Sequence, residues 1–255
     1  MTYAYFDRPD QPDAEIYMPK GQLTAGNAIG ILVMNDWYPY LPGDVANAST
    51  YNFPVMYKIL EDITVERIFR ADPAILDLVI KGGEELQRQG VRAIVGACGY
   101  FGNYQREAAA RLDIPVFISS LLQAPIIKRG LKAEQKVGII CASADSLTPQ
   151  LLSQCGVDDS SDVVIAGGQD LPEFKNIPEG TGHFNGYKIQ QELVALAKQF
   201  VASNPEIGAI LLECSALPPF AWAIQNAVKL PVFDFSTLIN WVYDAVVRRP
   251  FAGFI

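Results

Sequence analysis

The sequence has little of what many catalytic and binding scaffolds require. It holds a single histidine, His183, and only four cysteines, Cys98, Cys141, Cys155 and Cys214, with no CxxC pair. Those counts argue against a structural zinc site and against a disulfide framework. No GxGxxG or Walker pattern occurs, and Gly82-Gly83 falls inside a helical stretch rather than a phosphate-binding loop. No uncharged stretch approaches membrane-spanning length, and Met1-Thr2-Tyr3-Ala4-Tyr5-Phe6-Asp7-Arg8-Pro9 has no basic flank leading into an apolar segment. Basic residues are in deficit, 20 against 28 acidic, for a formal charge of −8. A nucleic-acid or anionic-membrane partner is therefore not expected, whereas a small anionic substrate needs only a local site. The expectations are a cytoplasmic protein without metal or cofactor, with homo-oligomerisation left open.

What is present is a globular composition, half hydrophobic and 19% charged, over 255 residues, enough for two compact domains. An internal repeat favours two. Val91 to Cys98 (VRAIVGAC) matches Ile207 to Cys214 (IGAILLEC) at an offset of 116 residues, which also brings Ile114-Pro115-Val116-Phe117 onto Leu230-Pro231-Val232-Phe233 and Ser120 onto Ser236. Earlier in each half, Ile29 to Val33 is repeated by Val137 to Cys141 at an offset of 108. Both are apolar runs suited to strands buried on two faces.

Helical signals separate these strands. Asp72-Pro73 reads as a helix start and Gly90 as its stop, with Leu76, Val79, Gly83 and Leu86 on one face. Ile189, Leu193, Leu196 and Phe200 trace a second amphipathic helix. Further helices are expected over 103–112 and 218–228. Strands alternating with helices predict an α/β fold of two pseudo-symmetric three-layer domains with mainly parallel sheets and an active site in the interdomain cleft. The expected boundaries are 1–120, carrying Cys98 and completed by a C-terminal helix over 235–255, and 121–234, carrying Cys214. Residues 35–57 differ, since Trp37, Tyr38, Tyr40, Tyr51, Phe53 and Tyr57 crowd a proline-broken segment that reads as a lid or cleft wall. The stretch 167–182 reads as loop.

In parallel α/β folds ligands bind beyond the carboxyl ends of the strands, where Cys98 and Cys214 both fall. Small residues and a helix start follow each, and exposed helical N–H groups hold carboxylates and lower thiol pKa values. Two thiols held as one base and one acid can remove and return a proton at carbon, an unperturbed thiol titrating near ~8.5. Cys141 and Cys155 read instead as small buried hydrophobes.

Here the chain resembles the aspartate/glutamate/hydantoin racemase superfamily, on GACGYFGN (Gly96 to Asn103) and LLECSALPP (Leu211 to Pro219). PGDVANASTYNFPVMY (Pro42 to Tyr57), GGQDLPEF (Gly167 to Phe174) and LLECSALPPF are similar to the branch containing algal dimethylsulfoniopropionate lyases and bacterial racemase-like proteins. The resemblance implies two similar α/β domains, each giving one cysteine to their interface. The GGMGP pattern of typical aspartate racemases is absent, Gly99-Tyr100 rather than Asn-Thr follows the first cysteine, and no histidine adjoins Cys214. Aspartate or glutamate as substrate is thereby in doubt, while proton removal alpha to a carboxylate is not. Superfamily members that only decarboxylate work with one cysteine, so two argue for a two-base reaction.

The leading expectation is a cofactor-independent racemase or epimerase with Cys98 and Cys214 as its acid/base pair. One alternative is a lyase whose thiolate removes the same proton before beta-elimination; another is a non-catalytic small-molecule sensor. Asn35 and Ser143, which follow the first strands of the two halves, are substrate-contact candidates, although capping predicts the same residue types. So are Ser49, Thr50, Asn103, Gly99 and Ser215. Trp37, Tyr38 and Tyr100, with Phe101, suit an aromatic cage for a sulfonium or quaternary ammonium group, or plain core filling. Ser120 and Ser236 read as helix caps and His183 as a surface residue. Glu213 has no counterpart in the first half and several roles remain open to it: biasing the proton between the thiols, binding a cation, or facing solvent.

Overall fold

The computed structural model describes residues 18–255. The segment Met1–Pro9, read above for a leader, lies outside them. Four strands in each half form a parallel sheet. β1 (Ile29–Met34), β2 (Val55–Leu60), β3 (Ala93–Gly96) and β4 (Val116–Phe117) lie in the order β2-β1-β3-β4. β5 (Lys136–Cys141), β6 (Val163–Gly167), β7 (Ile207–Leu212) and β8 (Val232–Phe233) repeat it as β6-β5-β7-β8. The 116-residue repeat corresponds to β3/β7 and β4/β8, and the 108-residue repeat to β1/β5.

The central strands are buried on both faces, which is why they read as continuous apolar runs. Alternation still sorts their side chains. Ile29, Ile31 and Val33 face one cluster with Ala93, Val95, Phe235, Leu238, Ile239 and Val242, while Leu32 and Met34 join the cluster containing Val79, Ile80 and Leu86.

Helices cover the sheets. α1 (Val65–Phe69) and α2 (Ile75–Arg88) connect β2 to β3, and α3 (Gln105–Arg111) connects β3 to β4. α4 (Ala124–Arg129) leads into β5, and α5 (Pro149–Gln154) precedes β6. α6 (Gly186–Ser203) and α7 (Ala221–Val228) flank β7. α8 (Phe235–Val246) follows β8 but packs on the first sheet through Phe235, Leu238, Ile239 and Val242, and residues 247–255 are not helical. A capping box between Asp234 and Thr237 sets its start. No helix among the described residues is long and apolar enough to cross a membrane.

Several expectations shift. α2 begins at Ile75 rather than at Pro73, because the Asp72 carboxylate is drawn to Arg67 Nε at 2.8 Å while its other oxygen accepts the Ala74 N–H at 2.9 Å. Its end is as read, with Gly90 at φ 85°. The segments after the two cysteines open as 3-10 turns, Gly99–Tyr104 and Pro218–Phe220, before becoming α3 and α7. Tyr57 belongs to the edge strand β2, not to a lid, and Gly167 ends β6.

Candidate active site

In each sheet the strand order reverses between the two central strands, so their following loops diverge and leave a crevice. The first crevice lies between the loops after β1 and β3, the second between those after β5 and β7. One cavity draws on both. Its walls include Asp36 and Tyr38 after β1, Cys98, Gly99 and Tyr100 after β3, Ala142 after β5, and Glu213, Cys214 and Ser215 after β7. Val65, Ile68 and Phe69 close one side, and Ile177 and Pro178 another. Its volume is about 40 Å³, room for about three water-sized groups.

Cys98 and Cys214 keep partial exposure, while Cys141 and Cys155 are buried. Both cavity thiols sit two residues beyond their strand ends. Burial pushes both far above the ordinary thiol range, and Glu213 adds to the effect at each. Cys98 raises the cost of ionising Cys214, and further carboxyls raise both, Asp36 acting on Cys98 and Asp44 on Cys214. The N–H groups of Tyr100 and Phe101 oppose this at Cys98, and that of Ala216 at Cys214. At rest both groups are thiols.

Two serines on the loop after β4 hold both cysteine loops. Ser119 Oγ donates to the Gly99 carbonyl at 2.6 Å, and Ser120 Oγ to the carbonyls of Leu212 and Glu213, each at 3.1 Å. Tyr100 ties the halves together from another side, its hydroxyl donating to the Ser143 carbonyl and accepting the Ser143 N–H, both at 2.7 Å. The loop after β1 joins the second cysteine through Val45 N–H to the Ser215 carbonyl at 3.3 Å.

The charge of the cavity is unusual. Burial raises its carboxyls Asp36 to about 6 and Glu213 to about 8, and raises Asp44, which bonds to the lining residue Tyr38, to about 7. Asp44 is held by the Ala46 N–H at 2.8 Å and the Tyr38 hydroxyl at 3.1 Å. No lysine or arginine lines the cavity among the described residues, and no three His, Cys, Asp or Glu side chains converge as a metal ion would require.

Comparison with known proteins follows the same lines. A dimethylsulfoniopropionate lyase of Durusdinium is 33% identical over 233 residues, 89% of this chain and 77% of that protein. Dimethylsulfoniopropionate lyase 7 of Emiliania huxleyi is 31% identical over 236 residues, covering 89% of this chain and 69% of the relative. The chain belongs to the dimethylsulfoniopropionate lyase family. Solved structures relate this family's fold to the racemases: glutamate racemase RacE1 of Bacillus anthracis aligns with a TM-score of 0.57 at 14% identity, over 86% of this chain and 82% of that one. Allantoin racemase of Pseudomonas fluorescens aligns at 0.56 and 14% identity, over 86% and 91%. The fold is that of the aspartate/glutamate/hydantoin racemase superfamily. No protein-family model matches the chain.

Of the residues singled out in the sequence, Cys98, Cys214, Tyr38, Gly99, Tyr100, Glu213 and Ser215 line the cavity. The others do not. Asn35 is exposed, its amide donating to the Glu61 carbonyl at 3.4 Å, and its neighbour Asp36 turns inward instead. Trp37 is 73% exposed and lies over Gly182, whose N–H donates to the Trp37 carbonyl at 3.2 Å. Ser49 bonds to Asn47, Thr50 bridges the Gly43 N–H and the Asp44 carbonyl, and Asn103 donates to the Tyr100 carbonyl. The Ser143 hydroxyl pairs with Ser146 at 3.1 Å. Phe101 is buried in the core, and Phe69, in edge contact with Tyr100 at 4.9 Å, takes the place expected of Trp37 as a cavity ring. His183 is exposed, with Nδ1 3.1 Å from the Thr181 carbonyl oxygen.

Sequence reasoning missed Asp36 and Asp44 and left Glu213 unassigned. A signal existed for the first. In extended backbone successive side chains point opposite ways, so the polar pair Asn35-Asp36 after β1 had one member facing the crevice.

Proposed function

We propose that the protein is a lyase that removes the proton alpha to a carboxylate and expels a cationic sulfur group from the beta carbon, converting dimethylsulfoniopropionate to acrylate and dimethyl sulfide. The observation that carries this reading is the cavity lining: two thiols beside the carboxyls Asp36 and Glu213 and the rings of Tyr38, Phe69 and Tyr100, with no basic side chain. A substrate with two carboxylates, such as aspartate or glutamate, would find no cation there. A sulfonium is favoured by ring faces and by the Asp36 carboxylate, which burial raises only to about 6. Family membership supports the same reaction, since the relatives carry that name.

We assign the chemistry to the cleft between the half 1–120, with α8, and the half 121–234. A sulfonium entering beside a thiol favours its thiolate, the charged form that burial otherwise opposes. The thiolate takes the alpha proton, and the electron pair left on carbon forms the carbon–carbon double bond as the carbon–sulfur pair departs with dimethyl sulfide. The thiol's own proton goes to solvent as the sulfonium binds, and the alpha proton restores the resting thiol. One base suffices for this.

The second thiol supports a second reading, racemisation. Where the beta carbon bears no leaving group, the opposite thiol can return a proton to the other face. Proton NMR in deuterated water, with dimethylsulfoniopropionate and a panel of chiral acids, separates them. Acrylate and dimethyl sulfide are the expected products. Alpha-deuterium incorporation into a chiral acid, without elimination from dimethylsulfoniopropionate, would replace the lyase reading by the racemase one.

A further inference from the structure

Glu213 is fully buried at 0% exposure, yet it forms part of the cavity wall. Its Oε2 accepts the Ala142 N–H at 3.2 Å, whereas Oε1 is buried with no hydrogen-bond partner. The titratable groups that feel it are Cys98 and Tyr100 from the first half, Cys141 on β5, Cys155 beyond α5 and Cys214 beside it. Asp36 shares the cavity. None of these carries a positive charge. A carboxylate there meets no cation, and the Ala142 and Gly99 N–H groups and the Tyr100 hydroxyl offset its burial only in part, so the neutral acid is the stable form at neutral pH. A proton on Oε1, the oxygen without a partner, is then free to be shared with a bound ligand. Room for it is kept by Gly99, since a Cβ at that position would lie 2.1 Å from Oε1.

Removing a proton alpha to a carboxylate drives negative charge onto the carboxylate oxygens. A donor already aimed there stabilises that charge without reorganising, and a neutral carboxylic acid in an apolar site is able to serve. We propose that Glu213 is a further catalytic residue, donating a hydrogen bond from its carboxylic acid to the carboxylate of the substrate and stabilising the charge that gathers there as the alpha proton leaves. This rests on the lyase reading only for the identity of the leaving group. The Glu213 proton is shared, not transferred. The alpha proton goes to a thiolate, and the electron pair returns from the carboxylate to form the double bond as the carbon–sulfur bond breaks.

The test compares wild type with Glu213→Gln, which keeps a neutral donor, and Glu213→Leu, which has none. The binding probe is the unreactive 3-(trimethylammonio)propanoate. In wild type, probe affinity is expected to rise as Asp36 ionises near pH 6, to level off, and to fall above about pH 8, as the Glu213 acid ionises and repels the carboxylate, approaching tenfold per pH unit. Glu213→Gln should bind the probe without that alkaline fall and eliminate dimethyl sulfide within about tenfold of wild type. Glu213→Leu should lose about 10²–10³-fold in kcat. Probe binding by wild type that stays flat across pH 7–9 would overturn the proposal, and needs no variant to fold. So would a Glu213→Gln protein, folded by circular dichroism, that is as inactive as Glu213→Leu. If wild type shows the alkaline fall yet releases no dimethyl sulfide from dimethylsulfoniopropionate, the lyase reading fails and the assignment of Glu213 stands.

Discussion

The two halves share strand order, helix placement and a cysteine at the end of the same strand, yet they differ in the residues beside it. Ala97 and Gly99 flank Cys98; Glu213 and Ser215 flank Cys214. The side chain that one half lacks is the space the other fills, because Glu213 occupies the room that a residue larger than glycine at position 99 would take. The asymmetry is thus not local drift in two copies of a motif. It is a fitted pair, in which the first half supplies a thiol and a vacancy and the second a thiol and a carboxyl. Identical halves would suit a symmetric exchange of one proton between two faces. Unequal halves suit a reaction with a direction.

The sharpest way to test that comparison is to replace each thiol alone. Cys98→Ser and Cys214→Ser should each be assayed for elimination, and the one that serves as base should lose about 10²–10⁴-fold in kcat. A lyase predicts a wide gap between the two variants, whereas equal losses would restore the symmetric reading. The flanking residues give the next largest effect. Gly99→Ala, which drives a methyl against the Glu213 carboxyl, should cost about 1–3 kcal/mol in denaturant unfolding, while Ser215→Ala, the matching position, should stay within about 1 kcal/mol. Comparable costs would show that Glu213 moves aside freely. Smallest is the contrast between Ser120 and its mate Ser236. Ser120→Ala removes a hydroxyl that donates to two buried carbonyls and should cost about 1–2 kcal/mol, whereas Ser236→Ala should fall within about 0.5 kcal/mol.

The repeat was legible because buried parallel strands have no polar alternation to blur them, so VRAIVGAC and IGAILLEC could be aligned by eye. The edge strands β2 and β6 escaped notice. They are half-buried, and Val55 to Leu60 carries Lys58 and Tyr57, which resemble loop or lid composition. Within the site, residues fixed by backbone position could be placed at the cavity from the sequence: Gly99, Tyr100 and Ser215 follow directly from the cysteines. Polar residues on the long loop could not be placed in that way: Ser49 and Thr50 lie outside the cavity lining and, with Asn47, spend hydrogen bonds holding that loop in shape. Nothing in the sequence distinguishes a hydroxyl that binds substrate from one that closes a turn. Glu213 was the hardest, for a glutamate beside a cysteine says nothing of burial until Ala142 and Gly99 are seen against it.

The adjacent pair Ser119 and Ser120 has a mechanical meaning. One grips the loop of Cys98 and the other the strand end before Cys214, from a single short span of backbone. The spacing of the two sulfur atoms is therefore gauged from within one half, as a caliper is set by one screw.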